Sequence, residues 1–184
     1  MRRLAFLLLL PVVAIAAEVA GVKIDDKTRI GATDVTLNGA GLRKRAFFQV
    51  YAIGLYVQQK SANAATLIEQ PGPKRVAIHM LRDVGADAFN EALADGIRAN
   101  HAEADAKALE PRLKELGAII GGVGEAKKGM AIHLDWTGSE TQVAIQGKPV
   151  GKPIAGEDFY RALLRVWLGD KPVQDDLKKS LLGG

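Results

Sequence analysis

The chain has 184 residues, of which 48% are hydrophobic, and it contains no cysteine. This length and composition suit one domain with one hydrophobic core, and they exclude stabilisation by disulfide bonds. Of the net charge of +4, two charges belong to Arg2 and Arg3. The remaining +2 on residues 17–184 is too small to favour a polyanionic partner, so we expect no nucleic-acid binding.

The first sixteen residues have the layout of a secretory signal peptide. A positive start, MRR, precedes the apolar run LAFLLLLPVVAIA, which is interrupted by Pro11 and ends in the small-x-small site Ala14-Ile15-Ala16. We therefore expect cleavage after Ala16, a mature domain at residues 17–184 in the periplasm, and no stable membrane span after cleavage. The alternative is an uncleaved anchor, although about 18 or more apolar residues are usually needed to cross a bilayer.

The first half of the mature chain has the alternating pattern of strands. Alternation of apolar and polar residues predicts strands at 19–24 and 33–39, and the β-branched and aromatic residues of 45–57 predict a third strand that is either long or bent at Gly54. A short helix at 62–70 is predicted to end at Pro71-Gly72-Pro73, and another strand follows at 74–81.

From Gly85 the apolar spacing becomes helical. Phe89, Leu93 and Ile97 lie four residues apart on one face, and a second stripe of leucines follows His101. We predict two helices, or one broken helix, that ends at Gly117 or in Gly121-Gly122.

The last third of the chain predicts a hairpin followed by helices. Residues 130–136 and 141–147 alternate around a short polar turn, the segment GKPVGKPI predicts a further short pair of strands, and residues 157–168 and 175–182 have helical apolar faces. The order of strands, helices, strands and helices predicts an α+β domain in which one antiparallel sheet is covered on one face by helices.

Three segments resemble the chalcone isomerase-like family. The first segment, GAGLRKRAFFQVYAIGLYV, is similar to the family's glycine-rich turn, arginine and strand. The second, KRVAIHML with the helix after it, is similar to the family's next strand and helix. The third, IAGEDFYRALLRVWLGDKPVQDDLKKSLLG, is similar to the closing helices of the bacterial members. The resemblance covers nearly all of residues 17–184. It implies the family's open-faced β-sandwich, in which a large antiparallel sheet and a layer of helices enclose a cleft.

The resemblance also implies that the plant catalytic residues are absent. Plant chalcone isomerases carry Y-x-x-K-x-x-x-N on the helix of this region, and these positions fall on Phe89, Ala92 and Gly96, whose side chains transfer no proton. The plant threonine falls on or beside Tyr51 if four residues are missing before it, and only Arg43 matches directly. We therefore assign no catalytic residue.

The favoured hypothesis is a non-catalytic binder of a small amphipathic ligand such as a fatty acid. Plant fatty-acid-binding members of the family hold the carboxylate with an arginine and a tyrosine from this region. By resemblance, Arg43 would pair with the acidic head, Tyr51 would add a hydrogen bond, and Phe89, Leu93 and Ile97 would line the tail. Parity along a single strand would place Arg43 and Tyr51 on one face.

Several alternatives stay open at this stage. Arg43 with Lys44 and Arg45 also fits a solvated turn, Tyr51 fits an ordinary core position, and the three apolar helix residues fit a plain core. The second functional candidate is an isomerase or intramolecular lyase in which Arg43 stabilises an oxyanion and Tyr51 is the acid. The third is an interaction or folding-support module.

No cofactor or metal is predicted. The three histidines, His79, His101 and His133, lie far apart in the sequence and lack a metal-binding spacing.

Overall fold

A computed structural model of the protein describes residues 17–184, which form eleven strands and five helices. The strands are β1 (Ala17–Val19), β2 (Val22–Ile24), β3 (Lys27–Ile30), β4 (Thr33–Arg45), β5 (Phe48–Val57), β6 (Lys74–Met80), β7 (Val84–Gly85), β8 (Glu125–Ala126), β9 (Ala131–Trp136), β10 (Glu140–Ile145) and β11 (Lys148–Ala155). The helices are α1 (Ala64–Glu69), α2 (Ala86–Ala99), α3 (Glu103–Gly121), α4 (Glu157–Leu168) and α5 (Asp175–Leu181).

One large sheet organises the domain. Seven strands lie in the order β11-β10-β9-β6-β5-β4-β3, and all neighbouring pairs are antiparallel. The helical segment α2–α3 is inserted between β6 and β9, which are neighbours in the sheet. The predicted α+β fold with a large antiparallel sheet and helices is confirmed.

The main core lies between the sheet and the helices. Alternate residues of β5, namely Tyr51, Ile53, Leu55 and Val57, pack into one cluster with the apolar faces of α2 and α4. In α4, Phe159, Leu163 and Trp167 are almost fully buried. Each such side chain stabilises the fold by about 1.5–3 kcal/mol through its removal from water.

The other face of the sheet is covered at β4 and β5 by the N-terminal strand pair. Ile24 of β2 packs with Leu37, Ala52 and Tyr56 in a second, smaller cluster. The Tyr56 hydroxyl donates to the backbone oxygen of Asp25 at 2.8 Å. These strands are therefore buried on both faces, in keeping with their continuous run of apolar residues.

Of the two alternatives for the strand at 45–57, long or bent at Gly54, the bend is not observed. Gly54 pairs regularly with Ala40 on one side and Ala77 on the other. The chain instead reverses between Arg45 and Phe48, so the predicted strand at 45–57 begins at Phe48, and the strand predicted at 33–39 extends to Arg45. The sequence does not predict this turn, because Ala46 and Phe47 are not residues that favour a tight hairpin.

Other element boundaries differ in smaller ways. Residues 19–24 form the end of β1, a turn and β2, while GKPVGKPI forms the single strand β11 and not a pair. β3 was not predicted. The prediction of two helices after Gly85 is confirmed, with the second ending at Gly121. Within residues 17–184, no helix is long and apolar enough to span a bilayer.

Candidate functional site

A cavity of about 540 Å³ lies between the β4–β5 hairpin and helices α2 and α4. Its volume is within the range of about 300–1,000 Å³ that is usual for small-molecule sites. Its lining residues come from the hairpin, from the β6–β7 connection and from the helical layer: Arg43, Arg45, Ala46, Phe48, Val50, Tyr51, Arg82, Asp83, Val84, Gly85, Ala88, Phe89, Ala92, Leu93, Val166, Trp167 and Val173.

The hairpin brings Arg43 and Tyr51 together as directly paired residues on adjacent strands. The register then shifts, because Lys44 pairs with Gln49 and leaves Val50 as an extra residue in β5. The carbonyl of Val50 accepts from the backbone N–H of Leu81 at 2.9 Å. A bulge of this kind changes the direction of neighbouring side chains, and here both Val50 and Tyr51 line the cavity.

Tyr51 is held by a tryptophan of the helical layer. The indole Nε1–H of Trp167 donates to the Tyr51 hydroxyl oxygen at 3.0 Å, in a buried contact. Burial raises the pKa of Tyr51, although the Trp167 hydrogen bond and the charge of Arg43 oppose this effect. Tyr51 is therefore a neutral hydroxyl at pH 7, and no acceptor for its own proton is found within residues 17–184.

Arg43 is half-buried and has only neutral hydrogen-bond partners in the described part of the chain. Its Nη1 donates to the Lys44 carbonyl and, at 3.3 Å, to Oε1 of Gln174. The same Gln174 oxygen accepts from the Lys44 backbone at 2.8 Å, and its amide donates to the Leu42 carbonyl at 3.1 Å. Gln174 thus binds both the backbone of β4 and the guanidinium of Arg43, and it holds the guanidinium in position.

Other half-buried arginines of the domain have carboxylate partners. Arg75 forms a two-contact ion pair with Asp135 at 2.6 Å, and Arg112 does the same with Asp158. Among residues 17–184, no carboxylate lies within ion-pair distance of Arg43. Its charge therefore lacks the counter-charge that half-buried arginines usually need.

The opposite wall of the cavity is apolar. Phe89 and Leu93 of α2 are buried and line it, as does Val166 of α4. Ile97, one turn further along α2, is buried in the helix–sheet core and lies outside the lining. Of the five residues that the sequence suggested for the ligand, Arg43, Tyr51, Phe89 and Leu93 lie around one cavity.

The structure corrects two local interpretations. Arg43 lies within β4 and not in a solvated turn, and it shares a face with Tyr51 through cross-strand pairing, not through parity along one strand. Gly39 and Gly41, interpreted as a glycine-rich turn, are strand residues whose missing side chains allow α5 to approach the sheet.

The three positions that align with the plant catalytic residues have different surroundings. Phe89 and Ala92 line the cavity. Gly96 lies instead where α2 crosses α4, and a Cβ added there would lie 2.7 Å from a methyl group of Val166. The missing side chain at Gly96 therefore does not enlarge the cavity, because it allows close packing of the two helices instead.

Two histidines that are distant in the sequence become neighbours, away from the cavity. The rings of His79 and His133, on adjacent strands, are 6.4 Å apart. Burial, with the charge of Arg75, lowers the pKa of His133 to about 4. Within residues 17–184, no group of three potential metal ligands is found.

Sequence reasoning missed several residues that build the site. The sequence indicates Trp167 only as part of an apolar helix face, and it gives no indication that Gln174 or Arg82 lies near the site. The helical periodicity of residues 157–168 predicted that Trp167 is buried but not which tyrosine it meets. Gln174 gave no signal, because its contact with Arg43 joins residues 131 positions apart.

The site is a largely apolar cavity between a sheet and a helical layer, and its lining includes a tyrosine hydroxyl and a half-buried arginine that has no carboxylate partner within residues 17–184. This arrangement is usual for sites that bind small molecules. The chain belongs to the chalcone isomerase-like family, whose model matches residues 16–183.

A comparison with solved structures supports the fold. The crystal structure of a fatty-acid binding protein from Arabidopsis thaliana matches with a TM-score of 0.69, at 18% identity, over 88% of this chain and 92% of that one. At this identity the match shows the shared fold alone. A comparison with curated protein sequences found no match.

Proposed function

We propose that this protein is a non-catalytic binder of a small amphipathic acid, such as a fatty acid, in the cavity between the β4–β5 hairpin and the helices. The observation that supports it most is the half-buried Arg43, which has no carboxylate partner among residues 17–184 and lies beside an apolar wall. An ionised head group would supply the missing counter-charge.

The second donor is Tyr51. Its oxygen already accepts from Trp167, which orients the hydroxyl and leaves its proton available to a ligand. A carboxylate offers two acceptor oxygens, so Arg43 and Tyr51 can each bind one, while Phe89 and Leu93 contact the hydrocarbon part. The fatty-acid binding described for the Arabidopsis protein of the same fold is consistent with this assignment.

The test compares wild-type protein with Arg43→Ala in a titration with a fluorescent fatty acid. A charge-assisted hydrogen bond to a ligand corresponds to about 10–100-fold in affinity, so we expect Arg43→Ala to weaken binding by that factor and Tyr51→Phe by less. Arg29→Ala is the matched control, because Arg29 is exposed and pairs with Asp34 on the far part of the sheet. Thermal unfolding verifies that each variant is folded.

A fatty alcohol of the same chain length separates head-group recognition from tail burial. The wild-type protein is expected to prefer the acid, and Arg43→Ala to lose this preference. Equal binding of the acid by wild type and Arg43→Ala would remove the role assigned to Arg43. Turnover of a chalcone by wild type that disappears in Arg43→Ala would favour the isomerase alternative instead.

We also propose that the protein acts in the periplasm after removal of residues 1–16. This proposal is supported by the charge and apolar pattern of these residues.

A further inference from the structure

The tip of the β4–β5 hairpin exposes two adjacent phenylalanines. Phe47 is fully exposed and Phe48 is 58% exposed, whereas the other phenylalanines in residues 17–184, Phe89 and Phe159, are buried. Two neighbouring aromatic rings at the end of a hairpin form an apolar protrusion. Such a surface is unfavourable in water unless a partner covers it.

The backbone at the tip does not require these residues. Ala46, the first turn residue, has a φ of 52°, in a region that side chains rarely adopt. Ala20 and Gln146 have similar φ values in two other hairpin turns, but each is followed by a glycine that eases the reversal. At the β4–β5 tip a phenylalanine takes that place, which points to a use of the ring itself.

Positive side chains surround the two rings. Lys44 and Arg45 precede the turn and are exposed. Arg82, from the β6–β7 connection, has its guanidinium carbon 4.5 Å from the centre of the Phe48 ring.

Acidic groups are also present near the tip. Asp83 accepts from the backbone N–H of Lys128 at 2.8 Å, and Asp176 lies within electrostatic reach of Lys44. Lys128 and its neighbour Lys127 are exposed and add two further cations on that side. The surface therefore has an excess of positive charge around an apolar point.

We propose that this tip docks the protein on the surface of an anionic phospholipid bilayer. Phe47 enters the boundary between head groups and acyl chains, while Lys44, Arg45 and Arg82 contact lipid phosphates. An aromatic side chain within a ring of cations is the combination that holds peripheral proteins at anionic membranes. Charge complementarity favours a lipid surface over a second copy of this chain, whose tip would present the same positive charge.

The tip is also the rim of the cavity. Arg45, Ala46 and Phe48 belong to the lining, whereas Phe47 does not. A docked protein would therefore present the cavity opening to the bilayer, where amphipathic acids reside. This connection rests on the proposed function, but docking itself depends only on the tip.

Vesicle binding tests the proposal. We expect the wild-type protein to sediment with phosphatidylcholine vesicles that contain phosphatidylglycerol, to bind pure phosphatidylcholine weakly, and to dissociate as salt is raised. Loss of one inserted aromatic side chain should lower the partition coefficient of Phe47→Ala about tenfold. The double variant Lys44→Gln/Arg45→Gln should bind anionic vesicles less tightly and show a weaker salt dependence.

A matched double variant, Lys27→Gln/Lys60→Gln, keeps the tip and removes the same number of charges. Lys27 pairs with Thr36, far from the turn along β4, and Lys60 follows the far end of β5. The double variant Lys27→Gln/Lys60→Gln should therefore bind anionic vesicles as the wild-type protein does. All variants share the N-terminus of the wild-type protein, so residues 1–16 contribute equally wherever they are present.

A local probe is available because the chain has no cysteine. An environment-sensitive fluorophore on Ala46→Cys should shift to the blue when anionic vesicles are added, whereas the same fluorophore on Lys60→Cys should not. Equal shifts at both positions would contradict docking through the tip.

The remaining outcomes separate docking from ligand binding. Phe47→Ala should bind a fluorescent fatty acid in solution as wild type does, since Phe47 is outside the cavity. If wild type fails to bind the fatty acid but docks through Phe47, the proposed function fails and docking stands. Wild type that does not bind anionic vesicles, a Phe47→Ala variant that binds them equally well, or a dimer that Phe47→Ala dissociates would each overturn the proposal.

Discussion

Lys74 is an ionisable residue with an unusual environment. Its side chain is 1% exposed, and its ammonium group donates to the backbone oxygen of Ile68 at 3.0 Å. Burial lowers the pKa of Lys74 to about 8, although the nearby carboxylates of Glu157 and Glu69 oppose this effect. The folded protein therefore releases this proton at a pH where the unfolded chain retains it.

This difference predicts how stability depends on pH. Between about pH 8 and pH 10 the unfolded state binds one more proton than the folded state, so the free energy of unfolding should rise with pH by about 1.4 kcal/mol per unit. Denaturant titrations across this interval measure the slope, and Lys74→Met should abolish it. Above pH 10 the opposite trend is expected, because burial raises the pKa values of Tyr51, Tyr56 and Tyr160.

Lys178 offers a matched control for that experiment. Its ammonium also donates to a backbone carbonyl, that of Gly169 at 2.8 Å, but the residue is only half-buried. Lys178→Met should therefore keep the slope of the wild-type protein. A slope that survives in Lys74→Met would assign the titration to another group.

At the scale of single residues, the sequence located part of the site. The family resemblance predicted Arg43 and Tyr51, and helical spacing predicted Phe89 and Leu93 on one face. Ile97 shares that spacing but lies too far along α2 to reach the cavity. Periodicity shows which residues share one face of a helix. It does not show which of them line a cavity, because this depends on where the neighbouring elements end.

At the scale of elements, α5 packs directly on β4 through two glycines. A Cβ on Gly39 would overlap the carbonyl oxygen of Ser180 and lie 2.7 Å from that of Leu181, and one on Gly41 would lie 2.6 Å from a methyl group of Leu177. The backbone of α5 therefore rests against the strand, with no side chain between them at Gly39.

Gly39→Ala should separate these two elements. Because the overlap is with backbone and not with a flexible side chain, we expect the free energy of unfolding to fall by about 3 kcal/mol. Gly121→Ala is the control, since a Cβ there meets no atom within 4 Å, and alanine favours the helix over glycine. Chemical denaturation of both variants should show a loss only for Gly39→Ala, and equal stabilities would contradict the close approach.

Helix α4 and the β4–β5 turn show which elements a sequence predicts well. The bounds of α4 agree with the prediction of residues 157–168, because a strong 3.6-residue periodicity lies between Gly156 and Gly169. The β4–β5 turn was missed, since neither Ala46 nor Phe47 is a turn-forming residue. The missed turn is also the proposed docking tip. Turn-forming residues are therefore absent at the position where we propose that Phe47 binds a membrane.

At the scale of the whole molecule, we propose that the signal peptide, residues 1–16, is removed during export. In a Gram-negative host, protein recovered from the periplasm should have the intact mass of residues 17–184. Ala16→Arg should keep residues 1–16 attached, because the cleavage site requires small side chains. Wild-type protein recovered from the cytoplasm with residues 1–16 attached would contradict both export and cleavage.

The contact between Gln174 and Arg43 has a consequence for the order in which the site is built. Strands β4 and β5 are synthesised early, but the residue that fixes the Arg43 guanidinium follows 131 positions later, just before α5. A growing chain therefore contains both strands long before Arg43 acquires its support. The site is complete only when synthesis has passed Gln174. A polypeptide that ends before Gln174 would lack the side chain that holds the Arg43 guanidinium in position.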